Sequence, residues 1–143
     1  MLEYSRKLIE HFTHPKNVGE IENPDGMGFV GDPSCGDFLK VTISVENDII
    51  NDIKFKCKGC PAAIGTASAM TEMAIGLDLD SASEITDEMI EEHVKGLPDV
   101  KKHCSNLGAK ALYEAIMDYT HKSIKREEMA TAAINIFRKG ELS

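Results

Sequence analysis

Two stretches of alternating apolar and polar residues, joined by a short polar turn, constrain the fold of this chain more than any other feature. Apolar residues occupy every second position from 39 to 45, the turn Glu46-Asn47-Asp48 follows, and a second alternating stretch runs from 53 to 57. Successive side chains of a strand point to opposite faces, so each stretch has one apolar and one polar face. The pattern predicts an antiparallel β-hairpin. Residues 27–30 are a candidate third strand.

Helical periodicity dominates the rest of the chain. Tyr4, Leu8 and Phe12 form the apolar stripe of a first helix that ends at His14-Pro15. After Gly59 the period becomes helical again. Helices are predicted over residues 61–77, after caps at Ser81 and Thr86, over 105–119, and over a final segment that ends near Gly140.

The order of helix, strands and helices predicts an α+β fold, in which helices cover one face of a small antiparallel sheet of about three strands. The 143 residues contain no internal repeat and no convincing linker, so we expect a single domain over residues 1–143. A chain of this length can bury a core without the help of disulfides or structural metals.

Composition argues against several classes of function. The chain has 24 acidic and 16 basic residues, a net charge of −8, and no basic stripe, so nucleic-acid binding is not expected. No apolar run approaches the roughly 18 residues that span a membrane, and the N-terminus lacks the apolar core of a signal peptide. We therefore expect a cytoplasmic protein with no nucleic-acid and no membrane partner.

Four cysteines, at positions 35, 57, 60 and 104, carry the candidate chemistry. In a reducing cytosol they are expected to serve metal or sulfur chemistry rather than disulfides. Cys60 and Cys104 each fall at a predicted helix start, where unpaired backbone N–H groups favour an anion, so both thiols are expected to have a lowered pKa. Cys57 continues the alternation of the second strand and is expected to be a small core side chain.

Other donor groups stand beside these thiols. Asp37 follows Cys35 by two residues and offers a carboxylate oxygen, and His103 directly precedes Cys104. Three thiols with Asp37 or His103 make a four-coordinate, sulfur-rich set that suits zinc or an iron–sulfur cluster.

The remaining histidines are expected to be exposed at helix ends or on solvent-facing surfaces: His11, His14, His93 and His121.

At these residues the sequence resembles the IscU/NifU N-terminal family of iron–sulfur cluster assembly scaffolds. Three blocks carry most of the resemblance: VGDPSCGD at residues 30–37, Gly59-Cys60 before a helix of small residues, and LPDVKKHCS at residues 97–105. These blocks are specific in combination, because each contains a cysteine and their order and spacing also match.

The resemblance covers about residues 3–121, so residues of about 122–140 are expected to be a C-terminal helical extension of the scaffold domain. Only 44 positions separate Cys60 from Cys104, and His103 is present. Both features are similar to the IscU type of scaffold and differ from the zinc-dependent SufU type, which carries an insertion here and lacks the histidine.

The resemblance implies a SufE/NifU-like fold and a non-enzymatic scaffold that assembles [2Fe–2S] clusters from iron and sulfur and transfers them to apo-proteins. Three thiolates are implied to hold the cluster: Cys35, Cys60 and Cys104. Asp37 or His103 is implied as the fourth ligand, and the neighbouring Cys57 is a further candidate. The sulfur would arrive as persulfide on Cys104, and zinc could occupy the same pocket in the cluster-free form.

The resemblance also implies partners. A cysteine desulfurase would supply the sulfur, and apo iron–sulfur acceptor proteins would receive the cluster. An Hsp70-type chaperone is a further candidate partner. The expected oligomeric state is either a monomer or a homodimer.

A second class of function fits the same residues. A zinc-bound sulfur acceptor could activate a desulfurase and relay persulfide without building a cluster. A zinc hydrolase or deaminase is less favoured, because no H-x-E motif is paired with P-C-x-x-C in this sequence. A purely structural zinc domain is also less favoured, because the predicted thiolates lie in a flexible loop and at helix starts.

Overall fold

A three-stranded sheet with helices packed against it forms the body of the protein. The computed structural model describes residues 4–32, 37–101 and 103–142. Its elements, in chain order, are α1 (Arg6–Thr13), β1 (Gly26–Asp32), β2 (Asp37–Glu46), β3 (Ile49–Lys58), α2 (Pro61–Ala74), α3 (Leu79–Ser83), α4 (Asp87–His93), a 3₁₀ turn (Asp99–Lys101) and α5 (His103–Leu142).

The strands form one antiparallel sheet in the order β1-β2-β3. Val41 of β2 pairs with Gly28 on one side and with Phe55 on the other, so the predicted hairpin is present and β1 extends it. The hairpin turns at Asn47 and Asp48, whose φ angles of 54° and 60° are the left-handed values that a tight hairpin turn needs. The predicted α+β fold with a small antiparallel sheet is confirmed.

Helices α2 and α5 cover one face of this sheet and enclose the main core with it. The sheet supplies six side chains that are at most 1% exposed: Leu39, Val41, Ile43, Ile50, Ile53 and Phe55. The two helices pack small and medium side chains against them: Ala67, Met70, Ala111, Leu112 and Ala115. Ten of the fourteen residues of α2 are buried, because its small side chains let the helix lie close to its neighbours on nearly all sides.

The C-terminal third differs from the expectation of two separate helices. A single helix of 40 residues, α5, replaces them. The sequence holds no glycine or proline between Gly108 and Gly140 that would end a helix there, and an ion pair of 2.9 Å between Asp118 and Lys122 spans one turn across the expected gap. Residues 124–136 of this helix are exposed.

Two short helices, α1 and α3, differ in detail from the predicted ones. In α1, Leu8 is buried as expected, but Phe12 is 37% exposed, so the predicted apolar stripe is only partly covered. The helix predicted to start with a cap at Ser81 is α3, and Asp78 caps it by accepting a hydrogen bond from the Ser81 backbone N–H. Thr86 caps α4 as predicted.

No helix among the described residues is both long enough and apolar enough to cross a membrane. The assignment of residues 1–143 to a single domain, with an extension from about residue 122, stays a prediction, as does the cytoplasmic location. Helix α5 runs through residue 121 without a break.

Candidate metal centre

Thiols from three elements meet at one end of the sheet. Cys57 lies near the end of β3, Cys60 caps the N-terminus of α2, and Cys104 lies in the first turn of α5. The Sγ atoms of Cys60 and Cys104 are 3.7 Å apart, although 44 positions separate them in the sequence. All three thiols line a cavity of about 210 Å³ together with Asp37 and Lys101. The fold thus collects sulfur, carboxylate and ammonium groups around one small space.

The start of α2 sets the charge state of Cys60. Burial by itself raises the pKa of this thiol, but four groups act in the opposite direction: the backbone N–H of Ala63, the thiol of Cys104, the backbone N–H of Ala62 and the ammonium of Lys101. The net pKa of Cys60 lies below its ordinary value, so the prediction of a lowered thiol pKa at this helix N-terminus is confirmed.

The corresponding prediction for Cys104 is wrong. Helix α5 already begins at His103, so Cys104 lies inside the first turn and is only 2% exposed. Burial is the largest cause that raises its pKa, the charge of Cys60 and the hydrogen bond with Cys60 add to it, and the result is about 12. Of this pair, Cys60 is the thiol that loses its proton at the lower pH.

Cys57 is both a packing residue and a wall of the cavity. It is half-buried and contacts the main core as expected, but it also lines the cavity beside Cys60. Burial, the charge of Cys60 and the carboxylate of Asp37 raise the pKa of Cys57 to about 11. The Cys-x-x-Cys spacing across the strand-to-helix junction was the sequence signal for this proximity.

The structure describes only part of the predicted ligand set. Asp37 is exposed at the start of β2 and reaches the same cavity as Cys60 and Cys104. Cys35 and the side chain of His103 lie outside the described residues. The assignment of these five residues as ligands therefore stays a prediction.

Lys101 is a cavity residue that sequence reasoning missed. It ends the 3₁₀ turn before α5, and it acts electrostatically on both Cys60 and Cys104. Its position three residues before Cys104, inside the block at residues 97–105, was the available signal.

Comparison with known proteins places this chain in a family. The sequence profile of the NifU-like N terminal domain matches residues 3–126, which is most of the chain. The chain belongs to this family. The resemblance that was noted at the cysteine-containing blocks is thereby confirmed.

Individual members of the NifU-like N-terminal family are similar over most of their length. The iron-sulfur cluster assembly scaffold protein IscU 1 of Archaeoglobus fulgidus is 48% identical over 126 residues, which cover 88% of this chain and 82% of that protein. The IscU scaffold protein of Aquifex aeolicus is 44% identical over 128 residues, with coverages of 88% and 82%. A solved NifU-like N-terminal structure from Brucella abortus has a TM-score of 0.66 at 17% identity, covers 82% of this chain and 94% of its own, and supports the fold alone.

The order of the thiol pKa values predicts selective alkylation of Cys60 in the reduced, metal-free protein. At pH 8 a thiol with a pKa of about 11, such as Cys57, is ionised to roughly one part in a thousand. Because the thiolate is the reactive form, we expect iodoacetamide to modify Cys60 at least about tenfold faster than Cys57 or Cys104. Peptide mass spectrometry would measure the rates. The difference should shrink as the pH rises toward 11, and equal rates at pH 8 would contradict the proposed charge states.

Proposed function

We propose that this chain is a scaffold, and not an enzyme, on which iron–sulfur clusters are assembled. The observation that carries this proposal is the 3.7 Å separation of the Cys60 and Cys104 Sγ atoms. Two thiolates that bind one tetrahedral metal ion, each at about 2.3 Å, lie about 3.8 Å apart. The two sulfur atoms are therefore already spaced as ligands of one metal ion. The names of the relatives from A. fulgidus and A. aeolicus, both called cluster assembly scaffolds, support the same role.

The cargo that we propose is a [2Fe–2S] cluster held by three thiolates: Cys35, Cys60 and Cys104. Asp37 or His103 supplies the fourth ligand, with Cys57 as a further candidate. Asp37 is exposed at the cavity, where an incoming acceptor protein could reach it. A carboxylate oxygen is a poorer ligand than a thiolate for the sulfur-seeking iron of such clusters, so a cluster bound through Asp37 could be handed on by ligand exchange.

Sulfur is proposed to arrive as a persulfide of a cysteine desulfurase. The Cys104 thiolate attacks the terminal sulfur, forms a Cys104 persulfide and releases the desulfurase thiolate. Two electrons from an external donor then cleave the S–S bond and give sulfide and the Cys104 thiolate. In the metal-free protein the charge of Cys60 opposes the ionisation of Cys104, and an iron ion bound to Cys60 would remove this opposition. We therefore propose that iron binds before sulfur is transferred.

Two further groups of partners complete the proposal. Apo iron–sulfur proteins receive the finished cluster, and an Hsp70-type chaperone assists its release. Zinc has the same preference for tetrahedral thiolate sites as iron in such clusters, so it would fill the cavity when no cluster is present. Because the cavity suits zinc, a second function also fits it, namely a zinc-bound sulfur acceptor that activates the desulfurase.

Anaerobic reconstitution distinguishes the two functions. The protein is incubated with ferrous iron, cysteine and a cysteine desulfurase, and iron, zinc and acid-labile sulfide are measured. A scaffold should acquire iron and sulfide in equal amounts with visible sulfur-to-iron charge-transfer absorption. Retained zinc with faster sulfide release and no such absorption would favour the sulfur acceptor instead. The matched control replaces Cys35, Cys60 and Cys104 with alanine, and absorption that survives these changes would show that the ligand assignment is wrong.

A further inference from the structure

A second group of metal-binding side chains lies away from the thiol cavity. His11 of α1, Glu72 near the end of α2 and His93 at the end of α4 place one ligand atom each within 4.8 Å of the other two. Glu72 follows Cys60 by twelve positions along α2, about 18 Å at the helical rise. We propose that His11, Glu72 and His93 form a binding site for a first-row divalent metal ion, independent of the thiols, which zinc would occupy more tightly than ferrous iron.

The burial of His11 is the first observation behind this proposal. The sequence predicts an exposed histidine here, but His11 is only 5% exposed because its helix face packs on α2. Its Nδ1 atom lies 2.8 Å from Ser68 Oγ, which also accepts a hydrogen bond of 2.8 Å from the Lys16 backbone N–H. When Nδ1 donates to Ser68, the lone pair of Nε2 is left to face Glu72. Metal-binding histidines are oriented in this way by a partner on the second ring nitrogen.

The spacing of the three groups is the second observation. Around a tetrahedral metal ion with ligand distances of about 2.05 Å, neighbouring nitrogen and oxygen ligands lie about 3.3 Å apart. Glu72 Oε1 lies 3.7 Å from His11 Nε2 and 2.8 Å from His93 Nε2, so the two distances bracket this value. The Glu72 side chain is 41% exposed and can rotate to equalise them. Small side-chain movements therefore suffice to admit an ion.

The charges of the group also suit a divalent ion. Burial lowers the pKa of His11 more than Glu72 raises it, so the imidazole is held in the neutral form that binds metals. The hydrogen bond from His93 is the main cause that lowers the pKa of Glu72, so this group is a carboxylate. Lys7 and Lys16 line the adjacent cavity of about 320 Å³ and oppose a cation there, and the charge of Lys7 also lowers the pKa of Glu72 and of His11.

Two histidines and one carboxylate with open positions toward a cavity define the class of ion. This set lacks sulfur, and it is typical of zinc and of non-haem ferrous iron. Zinc binds such donors more tightly than ferrous iron does in the general order of divalent ions. The remaining coordination positions would face the cavity, where water or a small anion could complete them.

The test isolates this site by removing the thiols. Zinc is titrated by calorimetry into a variant in which all four cysteines are serine, and one equivalent should bind. Adding Glu72→Gln should weaken zinc binding at least about tenfold, since even the loss of a supporting residue around a metal costs that much. His14→Gln is the matched control, because His14 lines the same cavity but does not belong to the group. Absence of zinc binding, or equal affinities of the two substituted proteins, would overturn the proposal.

A second measurement uses the chain with its thiols intact, in case the four serine substitutions prevent folding. The thiols are first saturated with Cd²⁺, and paramagnetic Co²⁺ is then added while the imidazole resonances are followed by NMR. The resonances of His11 and His93 should broaden before those of His14 and His121. Broadening of all four together, or of His14 first, would show that no specific site exists. Neither outcome bears on cluster assembly, which depends on other residues.

Discussion

Cys60→Ser protein should fail to retain an iron–sulfur cluster, whereas Cys57→Ser protein should retain it. The two cysteines belong to one Cys-x-x-Cys segment, are both half-buried and border the same cavity. Cys60 differs because its Sγ lies 3.7 Å from Cys104 and because helix N–H groups lower its pKa. Cys57 keeps its proton, with a pKa of about 11. The Sγ atoms of Cys60 and Cys104 are already spaced as two ligands of one metal ion, so the cluster is expected to depend on Cys60.

The comparison is made by visible absorption and by iron and sulfide content after anaerobic reconstitution of each protein. Circular dichroism of both variants establishes that they are folded. We expect absorption near background for Cys60→Ser and close to the unsubstituted protein for Cys57→Ser. If Cys57→Ser also lost the cluster, Cys57 would be the fourth ligand, and the assignment of that position to Asp37 or His103 would be wrong.

Gly28→Ala should destabilise the fold strongly, although it adds only one methyl group. Gly28 lies where β1 crosses α5, and a Cβ atom built there would lie 2.0 Å from the Ala111 carbonyl oxygen and 2.7 Å from the Ala115 backbone nitrogen. Both atoms belong to the helix backbone, so a change of rotamer cannot relieve the overlap. Overpacking of this kind should lower the free energy of unfolding by about 3 kcal/mol, which corresponds to a fall in Tm of about 10 °C.

Gly108→Ala is the matched control, since it adds the same methyl group to α5 itself. The nearest atom to a Cβ at Gly108 is Ile90 Cδ1 at 3.5 Å, an ordinary contact. Replacing glycine inside a helix should raise the free energy of unfolding by about 1 kcal/mol. Thermal and urea unfolding measure both variants. A Gly28→Ala protein as stable as the unsubstituted chain would mean that β1 and α5 do not approach each other this closely.

Local patterns predicted the elements that position the site. The change of period at Gly59 placed the end of β3 and the start of α2 correctly, and with them Cys60 at a helix N-terminus. The pKa of Cys104 could not be predicted in the same way. Each residue of a helix turns the side chain by about 100°, so an error of one or two positions in the start of α5 exchanges an exposed cap for a buried first-turn residue. Burial then decides the sign of the pKa shift.

The surroundings of His11 could not be predicted from any local sequence pattern. Its partners are Ser68 on α2 and, through Glu72, His93 on α4, which follow it by 57 and 82 positions. In the sequence, His11 is a polar residue near the end of a short amphipathic helix, and such residues are usually exposed. It is buried where α1 packs on α2, and its ring centroid lies 6.1 Å from that of His93 on α4. Side-chain clusters assembled from distant segments of the chain have to be read from the structure.

Helix α5 also offers a convenient attachment point for measurements on this protein. Residue 130 follows Cys104 by 26 positions along one unbroken helix, about 39 Å along its axis. Residues 124–136 are exposed, so a fluorophore or a surface tether placed among them would displace no core side chain. Binding and release of cargo could then be followed on immobilised molecules whose thiol cavity stays open to the solution.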